Sequence, residues 1–183
     1  MRRWIPFVAV ASTALVIGVL IGLNLSRSQP LTLFSTTTKD PRDLALAPGE
    51  MPNGFTLFDR VERVARDIDK DALLLGWAKG YLVRYSRGSL LNSTVIEQLI
   101  SIYPRENMTK AFELAIARFE GADRLSDPRV GERSAAFRIV EGFSRQYVII
   151  FQKGNVHETI AMSGNVTDFE LLKEIARKAE AKI

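Results

Sequence analysis

Tyr147-Val148-Ile149-Ile150-Phe151-Gln152-Lys153-Gly154-Asn155-Val156-His157-Glu158-Thr159-Ile160-Ala161-Met162 is the stretch that decides the fold. Tyr147 to Phe151 is an unbroken apolar run, too short for a helix and rich in residues that favour strands. Lys153-Gly154-Asn155 supplies turn chemistry, because glycine and asparagine tolerate the positive φ that tight hairpin turns require. Val156 to Met162 then returns as a second strand. A hairpin implies antiparallel pairing, so the sheet around it is expected to be antiparallel.

Moving outward, Arg133 to Val140 alternates through Ala135, Phe137 and Ile139, and Glu141-Gly142 can close an earlier hairpin. Ser93 to Tyr103 carries Val95, Ile96, Leu99 and Ile100, and Leu73 to Ser86 carries Trp77, Tyr81, Val83 and Tyr85; both read as strands. The spacing in Val61 to Ala72 fits neither a strand nor a helix. Two helices are clear. Pro104 suits a first helical turn, Met108, Ala111, Phe112, Ala115 and Phe119 recur at three- and four-residue steps, and Gly121 ends the pattern. The second opens at Thr167, with Glu170 completing a capping box, and runs through Leu172, Ile175, Ala176, Ala179 and Ile183, with Glu174 and Lys178 paired on its outer face.

Strands, helix, hairpin-linked strands, helix: this order predicts an α+β sandwich in which an antiparallel sheet is covered by helices, over residues 54–183. The order, with Trp77-Ala78-Lys79-Gly80-Tyr81 on an early strand, Val130-Gly131-Glu132-Arg133-Ser134 opening the later sheet and Phe151-Gln152-Lys153-Gly154-Asn155-Val156 at the last hairpin, resembles exported bacterial proteins with a PsbP-like fold. That resemblance implies a binding module on the extracytoplasmic side of a membrane complex, photosynthetic or respiratory. The chain departs from the photosystem II extrinsic subunit of that superfamily in carrying an anchor.

The anchor is the apolar run over residues 4–25, preceded by the cytoplasmic residues 1–3. At 1.5 Å per residue it spans about 33 Å, enough to cross the hydrocarbon core as a transmembrane helix. Arg2 and Arg3 hold the N-terminus in the cytoplasm by the positive-inside rule, which places the rest outside. The run ends Leu23-Asn24-Leu25-Ser26-Arg27, a poor signal-peptidase site, so an uncleaved signal-anchor is expected. Ala14, Gly18 and Gly22 recur every fourth residue and form a small-residue face on which another helix can pack. Residues 26–53, with Pro30, Pro41, Pro48 and Pro52, read as an extended stalk.

Charge follows the same division. The chain has 25 basic and 21 acidic residues, but Arg2, Arg3 and Arg27 precede any acidic one, so the exported part is nearly neutral. A nearly neutral domain offers nucleic acid no basic face. With no cysteine there are no disulfides and no thiolate metal sites.

No motif in the chain points to catalysis, a cofactor or a metal. His157-Glu158 begins an H-E-x-x-H pattern, but Ala161 stands at the second histidine position, and His157, the one histidine of the chain, reads as an exposed strand residue. Asp67, Asp69 and Asp71 mimic the start of a calcium loop, yet alanines stand at 72 and 78 where glycine and glutamate are needed, leaving a solvated acidic turn. Arg60, Arg63 and Arg66 would form a basic stripe on a helix, diluted by Glu62, Asp67 and Asp69. Asn24, Asn92, Asn107 and Asn165 occupy glycosylation sequons that matter only in a glycosylating host. The expectation is a single-pass, non-catalytic accessory or assembly subunit whose partners are the membrane and other membrane-protein subunits. A different class, an exported carrier of a small hydrophobic ligand, would use Trp77, Tyr81, Tyr85 and Phe112.

Overall fold

A computed structural model describes residues 39–89 and 92–183. The first half contains α1 (Pro41–Leu44), β1 (Thr56–Arg63), α2 (Lys70–Leu74), β2 (Lys79–Ser89) and β3 (Asn92–Ile102). The second contains α3 (Met108–Ala117), β4 (Asp123–Arg124), β5 (Arg133–Glu141), β6 (Ser144–Lys153), β7 (Val156–Gly164) and α4 (Phe169–Glu180). All seven strands join one antiparallel sheet in the order β1-β2-β3-β7-β6-β5-β4. The fold class is therefore α+β, with an antiparallel sheet and helices packed on it.

Two meanders make up this sheet, β1-β2-β3 and β4-β5-β6-β7, and they meet where β3 pairs with β7. Alternation along the strands sends side chains to two different layers. On one face, Tyr81, Val83, Tyr85, Ile96, Ile149, Phe151, Ile160 and Met162 pack against Leu172, Ile175, Ala176 and Ala179 of α4. On the other, Ala135, Phe137, Val148 and Ile150 pack against Phe112 of α3. The sheet around β6 and β7 is thus covered on both sides.

The hairpins follow their turn residues. Gly142 and Gly154, at φ +59° and +60°, let β5 turn into β6 with Glu141 opposite Ser144, and β6 into β7 with Lys153 opposite Val156. Gly164 ends β7 at φ +137°, where a Cβ would lie 2.0 Å from the Ser93 carbonyl oxygen, so the close approach of β3 and β7 at that end requires glycine. The α4 N-cap is Asp168 rather than Thr167: its Oδ1 accepts from the Glu170 N–H at 2.9 Å and the Leu171 N–H at 3.2 Å. A carboxylate satisfies two orphan amides and sits well with the helix dipole, which displaces the expected Thr167–Glu170 box. Helix α3 is preceded by a 3-10 turn at Arg105–Asn107, and Phe119 beyond its end stacks on Phe137 at 5.1 Å.

Two expectations are corrected here. The stalk does not extend to residue 53: Leu44, Leu46, Met51 and Phe55 are buried, and the segment from α1 to Phe55 lies as a strap on the α4 side of the sheet. Prolines suggested an extended tether, but the apolar residues between them fill the space beside α4. The segment Leu73 to Ser86 is not one strand, because Asp69 caps α2 by accepting from the Asp71 N–H and Gly76, at φ +80°, turns the chain before β2 begins. No helix among the described residues is long and apolar enough to cross a membrane. The apolar run 4–25, with Ala14, Gly18 and Gly22, lies outside the described residues, as do residues 26–38.

Phe112 is 3% exposed between α3 and the sheet. Phe112→Ala is expected to lower unfolding free energy by about 3 to 5 kcal/mol, measured by urea denaturation of the full chain in mild detergent.

Candidate functional site

The strap is fastened to the sheet by a buried polar chain. Leu46 donates its N–H to Gln98 Oε1 at 2.9 Å, and Gln98 Nε2 donates to Glu158 Oε2 at 2.9 Å. Tyr85 donates its hydroxyl to the Leu46 carbonyl at 2.5 Å. Both backbone groups of Leu46 are thereby satisfied by the sheet beneath it, as a buried peptide requires. At its far end, Glu50 accepts from the Ala47 N–H at 2.6 Å and from Lys182 Nζ at 2.9 Å, contacts that hold its carboxyl below the ordinary range. Lys178 donates to the Glu50 carbonyl at 3.0 Å instead of pairing with Glu174.

Alternation along β7 places Glu158 toward the strap and His157 toward α3. Neither is exposed: Glu158 is at 0% and His157 at 7%. His157 packs edge-on against the rings of Tyr103 and Phe112, which corrects the expectation of an exposed strand histidine. A polar residue alternating with Val156 and Glu158 points away from them, but α3 covers that other face too. Burial pushes the Glu158 carboxyl up to about 8, opposed by the Gln98 hydrogen bond and the Lys182 charge. Burial, with the Arg118 charge, pushes the His157 imidazole down to about 4. Near neutral pH both groups are uncharged, which is how a sheet centre tolerates them.

The remaining polar residues singled out in the sequence serve local structure. Asp69 accepts from Arg118 at 2.9 Å as well as capping α2, and Asp67 accepts from the Val64 N–H at 3.4 Å. These two carboxylates and Asp71 do not converge, and among the described residues no group of histidine and carboxylate side chains is placed to hold a metal. Arg60 and Arg63 belong to strand β1 and Arg66 to the 3-10 turn at Ala65–Asp67, so they form no helical stripe. Asn107 donates to the Leu75 carbonyl at 3.1 Å, while Asn24 lies outside the described residues.

The four aromatic residues considered for a hydrophobic ligand do not share a cavity. Tyr81 and Tyr85 pack on the α4 side, Phe112 on the α3 side, and Trp77 beside Tyr103 and Met108. The motif residues carry packing: a Cβ on Gly80 would meet the Trp77 ring at 2.8 Å, and one on Gly131 would meet the Gln152 carbonyl oxygen at 2.5 Å.

An exposed apolar end is the surface feature that sequence reasoning did not single out. The β5–β6 turn and the β7–α4 connection lie together and line a depression of about 280 Å³ with Val140, Phe143, Arg145, Asn165 and Val166. Phe143 is 100% exposed, Val140 57% and Val166 52%. In a strand-turn sequence, Phe143 between Gly142 and Ser144 is the one local signal of it.

The two buried groups give opposite pH slopes. Folding keeps the Glu158 proton on up to pH about 8, whereas the unfolded chain releases it near 4.5, so this group costs stability as pH rises through that window. His157 has its folded value below the unfolded 6.5, so its contribution is lost as pH falls from about 6.5 to about 4. Between pH 6.5 and 8 Glu158 is the one of these two groups whose folded and unfolded states differ in protonation, and stability is expected to fall as pH rises, by on the order of 1 to 2 kcal/mol. Glu158→Gln is expected to flatten that decline in denaturation curves taken at pH 6.5 and 8.

No protein-family model matches the chain, and no curated protein matches it in sequence. Among solved structures the chain is similar to the extracellular domain of PknH from Mycobacterium tuberculosis, with a TM-score of 0.61 and 10% sequence identity over 77% of this chain and 93% of that one. At that identity the likeness shows a shared fold and nothing more.

Proposed function

We propose that this protein is a single-pass membrane-anchored, non-catalytic accessory or assembly subunit of a larger membrane complex, with a cytoplasmic N-terminus and a PsbP-like domain outside the cytoplasm. Arg2 and Arg3 ahead of an uncharged apolar run support the orientation. The strap supports the tethering role, because chain leaving the run enters the domain at a fixed point, where Lys39 Nζ donates to the Lys182 carbonyl at 2.6 Å. One observation carries the binding role: Phe143, Val140 and Val166 are exposed together beside a shallow depression that Ser144, Arg145 and Thr167 also line. A cluster of exposed apolar side chains is a common mark of an interaction surface.

Protease added outside spheroplasts is expected to digest the domain while leaving residues 1–3 protected; a protected C-terminus would reject the orientation. Phe143→Asp is expected to leave the melting temperature unchanged, since that ring is fully exposed, and to reduce co-purification of other membrane subunits about tenfold. Gly18→Leu with Gly22→Leu tests the contribution of the anchor to the same association. Full co-purification of both variants would place the contact elsewhere on the chain, and recovery of the unaltered protein from mild detergent with no other membrane subunit would overturn the subunit reading.

A further inference from the structure

β1 forms one edge of the sheet, and among the described residues no strand pairs with its outer side. Edge strands are ordinarily blunted, since their free amide and carbonyl groups template pairing with another chain. This one is eight residues long, and Leu57, Phe58, Val61 and Val64 on and beside it are 39%, 69%, 41% and 43% exposed. Its register with β2 runs unbroken from Asp59 to Arg63.

The order of side chains along it is self-complementary. Reading outward from Val61 in Phe58-Asp59-Arg60-Val61-Glu62-Arg63-Val64, each charge meets its opposite at the same distance on the other side. Two copies of an antiparallel strand related by a two-fold axis must place some residue opposite its own copy, because the axis maps each ladder pair onto a pair of the same kind. Centred on Val61, such pairing sets Arg60 against the second copy's Glu62, Asp59 against its Arg63 and Phe58 against its Val64. Centred on Arg60 or on Glu62, it sets like charges directly opposite, which is destabilising.

We propose that the outer edge of β1 pairs with the same edge of a second copy of this chain, antiparallel and two-fold, with the two Val61 residues facing each other. Two of the four charges are exposed and two half-buried, and Arg63, which donates from Nη2 to the Asp67 carbonyl at 3.1 Å, has further N–H donors with which to meet a carboxylate. Arg60 is exposed, and Glu62 holds only Arg42, at 3.3 Å in an ion pair more than half exposed on both sides. Asp59 is bound to Arg84 at 3.1 Å through Oδ2, which leaves its second carboxylate oxygen able to accept from Arg63 of the other copy. An axis perpendicular to the sheet keeps the strap faces of both copies on the same side. Both chains then enter their domains from one side, as two anchors in one membrane require.

The chain contains no cysteine, so a single introduced thiol reports directly. With Val61 facing Val61, the paired Cα atoms lie about 4.5 to 5.5 Å apart, within disulfide range. Full-length Val61→Cys in membranes is expected to cross-link into a dimer on mild oxidation, whereas Phe143→Cys, four strands further along the sheet, is expected to stay monomeric. In the Val61→Cys background, Arg60→Glu alone or Glu62→Arg alone should lower the cross-linked yield about tenfold, since both symmetric pairs become repulsive. The double change Arg60→Glu with Glu62→Arg should restore it, with the melting temperature unchanged throughout. Monomeric Val61→Cys, cross-linking no better than Phe143→Cys, or no restoration in the double variant would each overturn the proposal.

Discussion

The antiparallel ladder between β3 and β7 is the constraint on which the rest of the molecule depends. Thr94 pairs with Gly164 at one end and Ile102 with Val156 at the other, and this ladder alone joins the two meanders into one sheet. It places β7 at the centre of the sheet, so its two faces are both available for covering. Helix α3, which connects β3 to the second meander, covers one, and α4, which follows β7, covers the other. Without the β3–β7 ladder neither helix has a complete surface to pack on.

Because β7 is central, its polar residues are held under conditions no surface strand imposes. Glu158 is protonated and tied through Gln98 to the strap, and His157 is neutral among aromatic rings. A lone buried charge costs far more than a buried hydrogen bond returns, so the neutral forms are the ones the fold selects. The strap benefits directly: its Leu46 peptide is bonded on both sides by side chains of β2 and β3, which fixes the point where the chain arriving from the N-terminus joins the domain.

The two sheet edges are treated differently. β4 is two residues long and ends the sheet with little free backbone, the ordinary protection of an edge. β1 is long, exposed and charged in a mirrored order about Val61, a pattern that pairs opposite charges in that alignment and sets like charges opposite when centred on Asp59, Arg60, Glu62 or Arg63. Together with the exposed side chains around Phe143, it gives the domain two distinct surfaces suited to protein contact. The proposed binding and tethering role rests on these surfaces.

Local physics made much of this legible in advance. The β5–β6 and β6–β7 hairpins follow from Gly142 and Lys153-Gly154-Asn155, and both long helices follow from apolar residues at three- and four-residue steps, because turns and periodicity are set by near neighbours. The start of β1 and the α2 turn were not legible, since strand edges with mixed charge carry no clean alternation. Nor was the strap, whose prolines read as a tether until Leu44, Leu46 and Met51 found space beside α4. The burial of His157 and the neutral state of Glu158 were decided only by tertiary structure. Alternation tells which residues of a strand share a face, but whether a face is covered depends on helices that arrive from elsewhere in the chain. The charge order around Val61 was present in the sequence throughout. It acquired meaning only when the sheet left that strand at its edge, because the same residues in a central strand would already be paired.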